Sequence, residues 1–404
     1  MINSMTLSLI TALLSSLYVT VSNPLPEQRS DVPVVVPIPT SAGEVRSVKV
    51  AGVNDMPYQL DDMNGDGVAD EIVVMLDMKP GETRTLTLNL STVPDTTATF
   101  EAGTYAYLKL NDKNKKYPKI SAITYPGDVD NRQMYNSIYG HGAVLEGLYN
   151  AIRVYMDNRQ SVDLYAKNRP QLELETTGFY TTADQLGKGY GRDILWAGTS
   201  VAMGSFRGWQ NGTPTTIDSV TTRGQCVVTT GPLRSVIEVS DRGWNYDGHP
   251  IDMTQRYTIY KGHRDYEAEV TLNGAPNGAV FATGVQKIMN DNEGFIRANG
   301  LAGSWGNNLP DKGMPQLTDT LGLGISVSAP YLVKTLEDDV NYLTLVSPDR
   351  NGKIKYHITA AALRDECSPR DAKSWFDHLA VWRKHLDNPV KVVVSKTRKN
   401  KKRK

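Results

Sequence analysis

Cysteine and histidine are scarce: two and six in a chain of 404 residues. Two thiols, Cys226 and Cys367, cannot make the disulfide framework of a small secreted scaffold. They either pair once or serve as small buried apolar groups. The histidines never fall at His-x-His or HExxH spacing, which gives a zinc enzyme little support. No GxSxG elbow is present, so a serine hydrolase is not indicated. No GxxxxGK[ST] loop or α/β alternation is present either, so the glycines are not a phosphate cradle. Net charge is also lacking, with 44 Lys+Arg against 44 Asp+Glu. That zero is an average. Seven cations lie in the last nine residues, Lys396 to Lys404, which leaves 37 cations against 44 anions in the body. An acidic body argues against a nucleic-acid binder, whose folded domain carries a basic face. The 396–404 tail is expected to be disordered.

Long apolar runs are missing as well. The segment from Met1 to Ser16 is apolar and uncharged, and the first cation is Arg29. It is too short and too poorly flanked for a membrane span. It lacks the basic start of a typical leader, yet an apolar stretch at Met1 is still best read as a signal peptide over 1–22, with cleavage between Ser16 and Ser22. The expected location is secreted or periplasmic.

What is abundant is strand signal. Val32-Pro-Val-Val-Val-Pro-Ile, Thr83-Arg-Thr-Leu-Thr-Leu-Asn-Leu, Ser235-Val-Ile-Glu-Val and Arg256-Tyr-Thr-Ile-Tyr are β-branched or alternating runs bounded by turn residues. The 20 Tyr and 34 Gly suit strands and tight turns. The stretch from Trp375 to Leu386 reads most clearly as an amphipathic helix. The pattern predicts a mainly β protein: a small N-terminal β-sandwich over 23–93, then one β-rich region over 102–395. That region is too long for a single immunoglobulin-like unit of about 100 residues, and it suggests a large double-sheet sandwich.

Three constellations carry the candidate chemistry. Asp62, Asn64 and Asp66 alternate before Gly67, with Asp70 following, as in the opening half of a calcium loop. Val73 stands where the bidentate acid belongs, so either a structural calcium or an Asx-rich turn is expected. No cofactor is needed for catalysis in either case. The second runs from Tyr139-Gly-His141-Gly through Glu146 to Arg153, Tyr155, Asp157, Arg159 and Asp163. Period-two spacing puts Arg153, Tyr155, Asp157 and Arg159 on one strand face and Ile152, Val154 and Met156 on the core side. That polar face is either a wet groove or plain outer surface. Glycines around His141 allow a ligand to approach the backbone, and a histidine there can move protons. The third is a glycine-rich stretch holding Tyr180, Asp184, Arg192, Asp193 and Trp196. Aromatic faces stack on sugar rings and carboxylates bond hydroxyls, so a glycan is the expected partner.

Three stretches carry a resemblance: Val21-Ser-Asn-Pro-Leu-Pro-Glu-Gln-Arg-Ser-Asp31, the Asp61-to-Glu71 turn, and the run from Arg153 to Lys167. They resemble the secreted family labelled domain of unknown function 4861, seen mostly in Bacteroidetes. The resemblance implies a galactose-mutarotase-like antiparallel supersandwich for the long region and a role in polysaccharide utilisation. It implies a His after the Tyr at 180, where Thr181 stands instead, which puts catalysis in doubt or shifts it to His141.

The leading expectation is β-elimination on uronic-acid oligosaccharides, with Arg153 or Arg159 quieting the carboxylate, His141 as base, and Tyr155 or Tyr139 as acid. Hydrolysis is the alternative. It needs two carboxyl groups about 5–9 Å apart, with Glu146, Asp157, Asp163, Asp184 and Asp193 as candidates. A third reading is a glycan-binding protein without turnover.

Overall fold

The computed structural model of the protein describes residues 15–288, 290–308 and 318–396. The chain is mainly β, and among the described residues the strands pair antiparallel. Its described residues divide into two compact units, one of 15–101 with 388–396 and one within 102–387.

The first unit is a small sandwich. One sheet has the order Lys391–Ser395, Ser15–Ser22, Thr83–Ser91, Ser47–Val50; the other has Arg29–Pro37, Glu71–Met78, Tyr58–Asp61. Alternation explains the core. Leu17, Val19 and Val21 point inward with Leu86, Leu88 and Leu90, and meet Val32, Val34, Val36, Ile72 and Val74 in one apolar cluster. This revises two expected boundaries. Residues 15–22 form an inner strand, so a leader ending at residue 22 would remove part of this core. Residues 391–395 close the same sheet and do not belong to the long region. Residues 1–14 and 397–404, with most of the expected leader and tail, lie outside the described residues.

In the second unit, a nine-stranded sheet runs from Asn290–Ile296 at one edge to Ala122–Pro126 at the other, with the long hairpin Arg234–Tyr246 and His249–Tyr260 inside it. A six-stranded and a five-stranded sheet share its core: Leu145, Ile152, Val154, Phe281 and Val285 pack in one cluster with Val239, Tyr257, Val270 and Ile358. Helix Ala372–Asp387 seats Trp375, Leu379 and Trp382 against Leu301, Trp305 and Ala361. Gly303 and Gly324, paired across two strands, make room for it: a Cβ on either would come within 2.5 Å of Leu379. Cys226 and Cys367 are both free.

The six-stranded sheet positions the site. Its order is Arg192–Asp193, Val162–Ala166, Asn150–Tyr155, Gly142–Glu146, Tyr105–Lys109, Lys119–Ile120. Directly opposed residues share a face. One row therefore holds Tyr107, Val144, Arg153 and Asp163, and the next holds Tyr105, Glu146, Ala151, Tyr165 and Asp193. The reverse face is apolar and lies in the core.

Candidate functional site

A pocket of about 600 Å³ opens on this polar face, lined among others by Tyr135, Arg153, Tyr155, Arg159, Tyr180, Arg192, Asp193 and Trp196. That volume suits a ligand of one or a few rings. Tyr180 and Trp196 are exposed at its rim.

Arg153 is the centre. Cross-strand register sets it opposite Asp163. Its Nε and Nη2 donate to Asp163 Oδ2 at 2.9 and 2.6 Å, and Nη2 also donates to Asp193 Oδ2 at 2.8 Å. Nη1 donates to Tyr180 Oη at 3.0 Å and to the Gly140 carbonyl. The Phe179 ring covers the guanidinium at 4.1 Å. The face is a groove and not plain outer surface, because the loop carrying Phe179 and Tyr180 partly roofs it while Asp193 and Arg159 stay open to the pocket. Burial works against the Arg153 charge, but Asp163 and Asp193 hold it firmly ionised.

Asp193 is the reactive-looking carboxyl. Its side chain is 23% exposed, against 0% for Asp163. Burial first, then the Asp163 charge, push it up to about 8, with Arg153 opposing. Such a carboxyl can carry a proton near neutrality and is a strong base once ionised.

Tyr155 also lines the pocket, but its hydroxyl hydrogen goes to Asp163 Oδ2 at 2.7 Å. It is therefore poorly placed as the acid. Tyr180 is better placed, since its oxygen is close to Arg153 and open to the pocket, although burial pushes its hydroxyl up to about 12. Arg159 lies beyond the end of strand Asn150–Tyr155, not on its face as period two predicts. It pairs with Asp157 at 2.6 Å and stacks on the Tyr135 and Tyr155 rings at 5.3 and 5.1 Å. Arg192 pairs with Asp319 at 2.7 Å.

Several candidates stand elsewhere. His141 is not a lining residue. Its backbone is left-handed (φ 68), its ring stacks on Tyr135 at 3.7 Å, and its Nδ1 lies 3.1 Å from the Tyr135 carbonyl. Burial and then the Arg153 charge lower its pKa to about 4, which makes it a weak base. Glu146 is fully buried against Lys167 at 2.6 Å and accepts the Glu173 and Leu174 amides, so it anchors the loop beneath Phe179. Asp157 only serves Arg159, and Asp163 lies behind Arg153. Asp184 is exposed and paired with Lys188. Tyr139 stacks on Tyr117 beside the pocket, and Gly178 makes that possible: a Cβ there would meet the Tyr139 hydroxyl at 2.3 Å.

In the Asp62–Asp70 loop the side chains serve the backbone. Asp62 accepts from Gly65, Asp66 and Gly67, Asn64 from Asp66, Asp66 from Val68, and Asp70 from Met63. These are Asx turns. Among the described residues no group of three or more His, Cys, Asp or Glu is arranged to hold a metal ion.

Pocket residues that sequence reasoning passed over are Tyr135 and Phe179, together with Asp319, which holds Arg192. Tyr135 sits on helix Asn131–Ser137, and nothing in its local spacing points at Arg153.

Two solved structures from Enterococcus faecalis are similar in outline. One is a protein in glycosyl hydrolase family 38, with 10% identity, a TM-score of 0.44, and 94% of this chain and 47% of that one covered. The other is an alpha-mannosidase from strain V583, with 10% identity, a TM-score of 0.42, and 94% and 46% covered. The chain spans about half the length of these proteins. Likeness this low carries over neither substrate nor residue roles. No curated protein matches the chain. A family sequence model matches residues 21–392, and the chain belongs to that family, described as a domain of unknown function (DUF4861).

Proposed function

We propose that the protein is carbohydrate-active and that its pocket takes a uronic-acid residue of an oligosaccharide and cleaves beside it by β-elimination, with Asp193 as the base. The observation that carries this is Asp193 itself. It is the one carboxylate among the described lining residues, it faces the pocket, and its proton affinity is raised toward neutrality. Hydrolysis by the usual route needs two carboxyl groups across the scissile bond. Asp163, the nearest other carboxylate on Arg153, is wholly covered. Elimination needs one base, one acid and a cationic surround, and these are on hand.

Ionised Asp193 takes the C5 proton. The freed electron pair forms the C4–C5 double bond as the C4–O bond breaks, through an enolate whose charge the guanidinium groups of Arg159 and Arg192 stabilise. The leaving oxygen takes the Tyr180 hydroxyl hydrogen. Arg153, 3.0 Å away, steadies the resulting phenolate, and the proton held by Asp193 passes through water to the phenolate, restoring both groups. Trp196, exposed at the rim, offers a ring face for the sugar. Polymeric glycan as substrate would suit a secreted or periplasmic protein.

Incubation with a panel of uronic-acid oligosaccharides tests this. Ultraviolet absorbance from an unsaturated product is expected, and it should vanish in Asp193→Asn while binding persists. Reducing ends without that absorbance would instead indicate hydrolysis, and binding without either product would leave only a glycan receptor.

A further inference from the structure

The sheet face that holds the pocket does not end at it. Past Tyr180 the Tyr139 ring meets it edge-on at 6.0 Å, and Tyr117 stacks on Tyr139 at 4.0 Å. Lys109 Nζ lies 4.2 Å over the Tyr107 ring and 5.9 Å over Tyr139, while Lys119 Nζ lies 5.1 Å over Tyr105. Lys109 and Lys119 are direct cross-strand partners. Like charges so placed repel, and the pKa of Lys109 is lowered by burial first and then by Lys119. Glu175 pairs with Lys119 at 2.8 Å and relieves only part of this. The adjoining loop adds exposed Lys113, Lys115 and Lys116. These three and Lys109 make no ion pair among the described residues. On a chain whose body is acidic, Lys109, Lys113, Lys115 and Lys116 form a local excess of positive charge over Asp112, the one acid of that loop, beside these tyrosines and next to the pocket.

We infer that this strip is an extended subsite for the anionic oligosaccharide chain, so that the protein reads several acidic sugar residues beyond the one in the pocket. Tyr117 and Tyr139, stacked on each other and half-buried, give the strip an apolar edge against which a sugar ring can lie. The lysines meet carboxylates spaced along the chain, and an anion between Lys109 and Lys119 removes their repulsion. The inference rests on reading the pocket as an acidic-sugar site.

The experiment compares the affinity of a monouronate and a tetrauronate, by calorimetry at low and high salt, for the full chain and for a Lys113→Ala, Lys115→Ala, Lys116→Ala variant. Exposed loop lysines can change without disturbing the core, and thermal melting checks this. The tetramer should bind roughly tenfold or more tightly than the monomer, lose most of that advantage in the variant, and lose it with salt. Monomer binding should stay unchanged. If both lengths bind alike, or the variant weakens both equally, the strip is not a subsite although the pocket reading survives. If a neutral tetrasaccharide or a single-stranded oligonucleotide of equal charge binds as well as the tetrauronate, recognition of an acidic glycan is wrong. If no uronate binds at all, the pocket reading fails and the strip falls with it.

Discussion

Tyr155 gives its hydroxyl hydrogen to Asp163, the same carboxylate that holds Arg153. Tyr155→Phe should therefore act on stability more than on turnover. Loss of a buried hydrogen bond to a charged group costs about 1.5–3 kcal/mol. Urea denaturation should show it, with turnover within a few-fold of the parent. Tyr180→Phe should do the reverse, lowering kcat by roughly 100-fold or more if its hydroxyl is the acid.

The pH dependence follows from Asp193. As the base it must be ionised, so kcat/KM should rise with pH through about 8. Stability moves the other way. The folded chain keeps a proton there that the unfolded chain has already lost, so the contribution is whole below the ordinary carboxylate range and is lost as pH rises through about 8. Asp193→Asn should flatten that slope in denaturation series run from pH 5 to pH 9. An unchanged slope would remove Asp193 as the titrating group.

His141 makes the opposite case. Its pKa is lowered to about 4, so the folded state resists a proton that the unfolded chain accepts from about 6.5 downward. Stability is lost as pH falls through that window. His141→Asn keeps a residue that tolerates left-handed backbone and should reduce acid sensitivity. Turnover should stay within a few-fold, because the ring lies outside the pocket; a loss of 100-fold would restore His141 to the chemistry.

Lys167 and Glu146 form an ion pair with no exposed side-chain surface. Lys167→Met should cost about 3–5 kcal/mol by stranding a buried carboxylate. Adding Glu146→Gln should recover part of this, because the amide oxygen still accepts the Glu173 and Leu174 amides without a charge. A double-mutant cycle in urea measures the coupling.

The seat of helix Ala372–Asp387 gives a packing test. Leu379→Ala should lower stability by about 2–5 kcal/mol. Gly324→Ala should also destabilise the fold, because the new Cβ would stand 2.5 Å from Leu379 Cδ2. Thermal melts of the two variants and their combination would show whether the smaller side chain relieves the clash.

Local periodicity carried part of this structure. Alternation of Leu17, Val19 and Val21, or of Ile152 and Val154, reports a face directly, and the helix near Trp375 follows from its apolar stripe. Arg153 and Tyr155 were legible as a shared polar face for the same reason. What spacing cannot report is the roof over that face. Asp193 becomes a raised carboxyl only because loops bury it and Asp163 lies across a strand from Arg153. Glu146 has the sequence look of a pocket acid, yet it lies under the helical turn Leu174–Thr177. Glycines flanking His141 suggested openness, whereas its left-handed backbone turns the ring onto Tyr135. Arg192 finds Asp319 across 127 positions, a distance that no local pattern spans.

Strand Lys391–Ser395 completes the sheet of a unit whose other strands all lie before residue 101. Synthesis therefore inverts the usual order in which an N-terminal domain finishes first. Strand Ser15–Ser22 must wait with one edge unpaired while the entire second unit is made. In that interval it is an apolar strand with open hydrogen-bonding groups, a template for any other extended chain. The period of greatest aggregation risk would then fall during synthesis, and a truncation just before Lys391 would make it permanent.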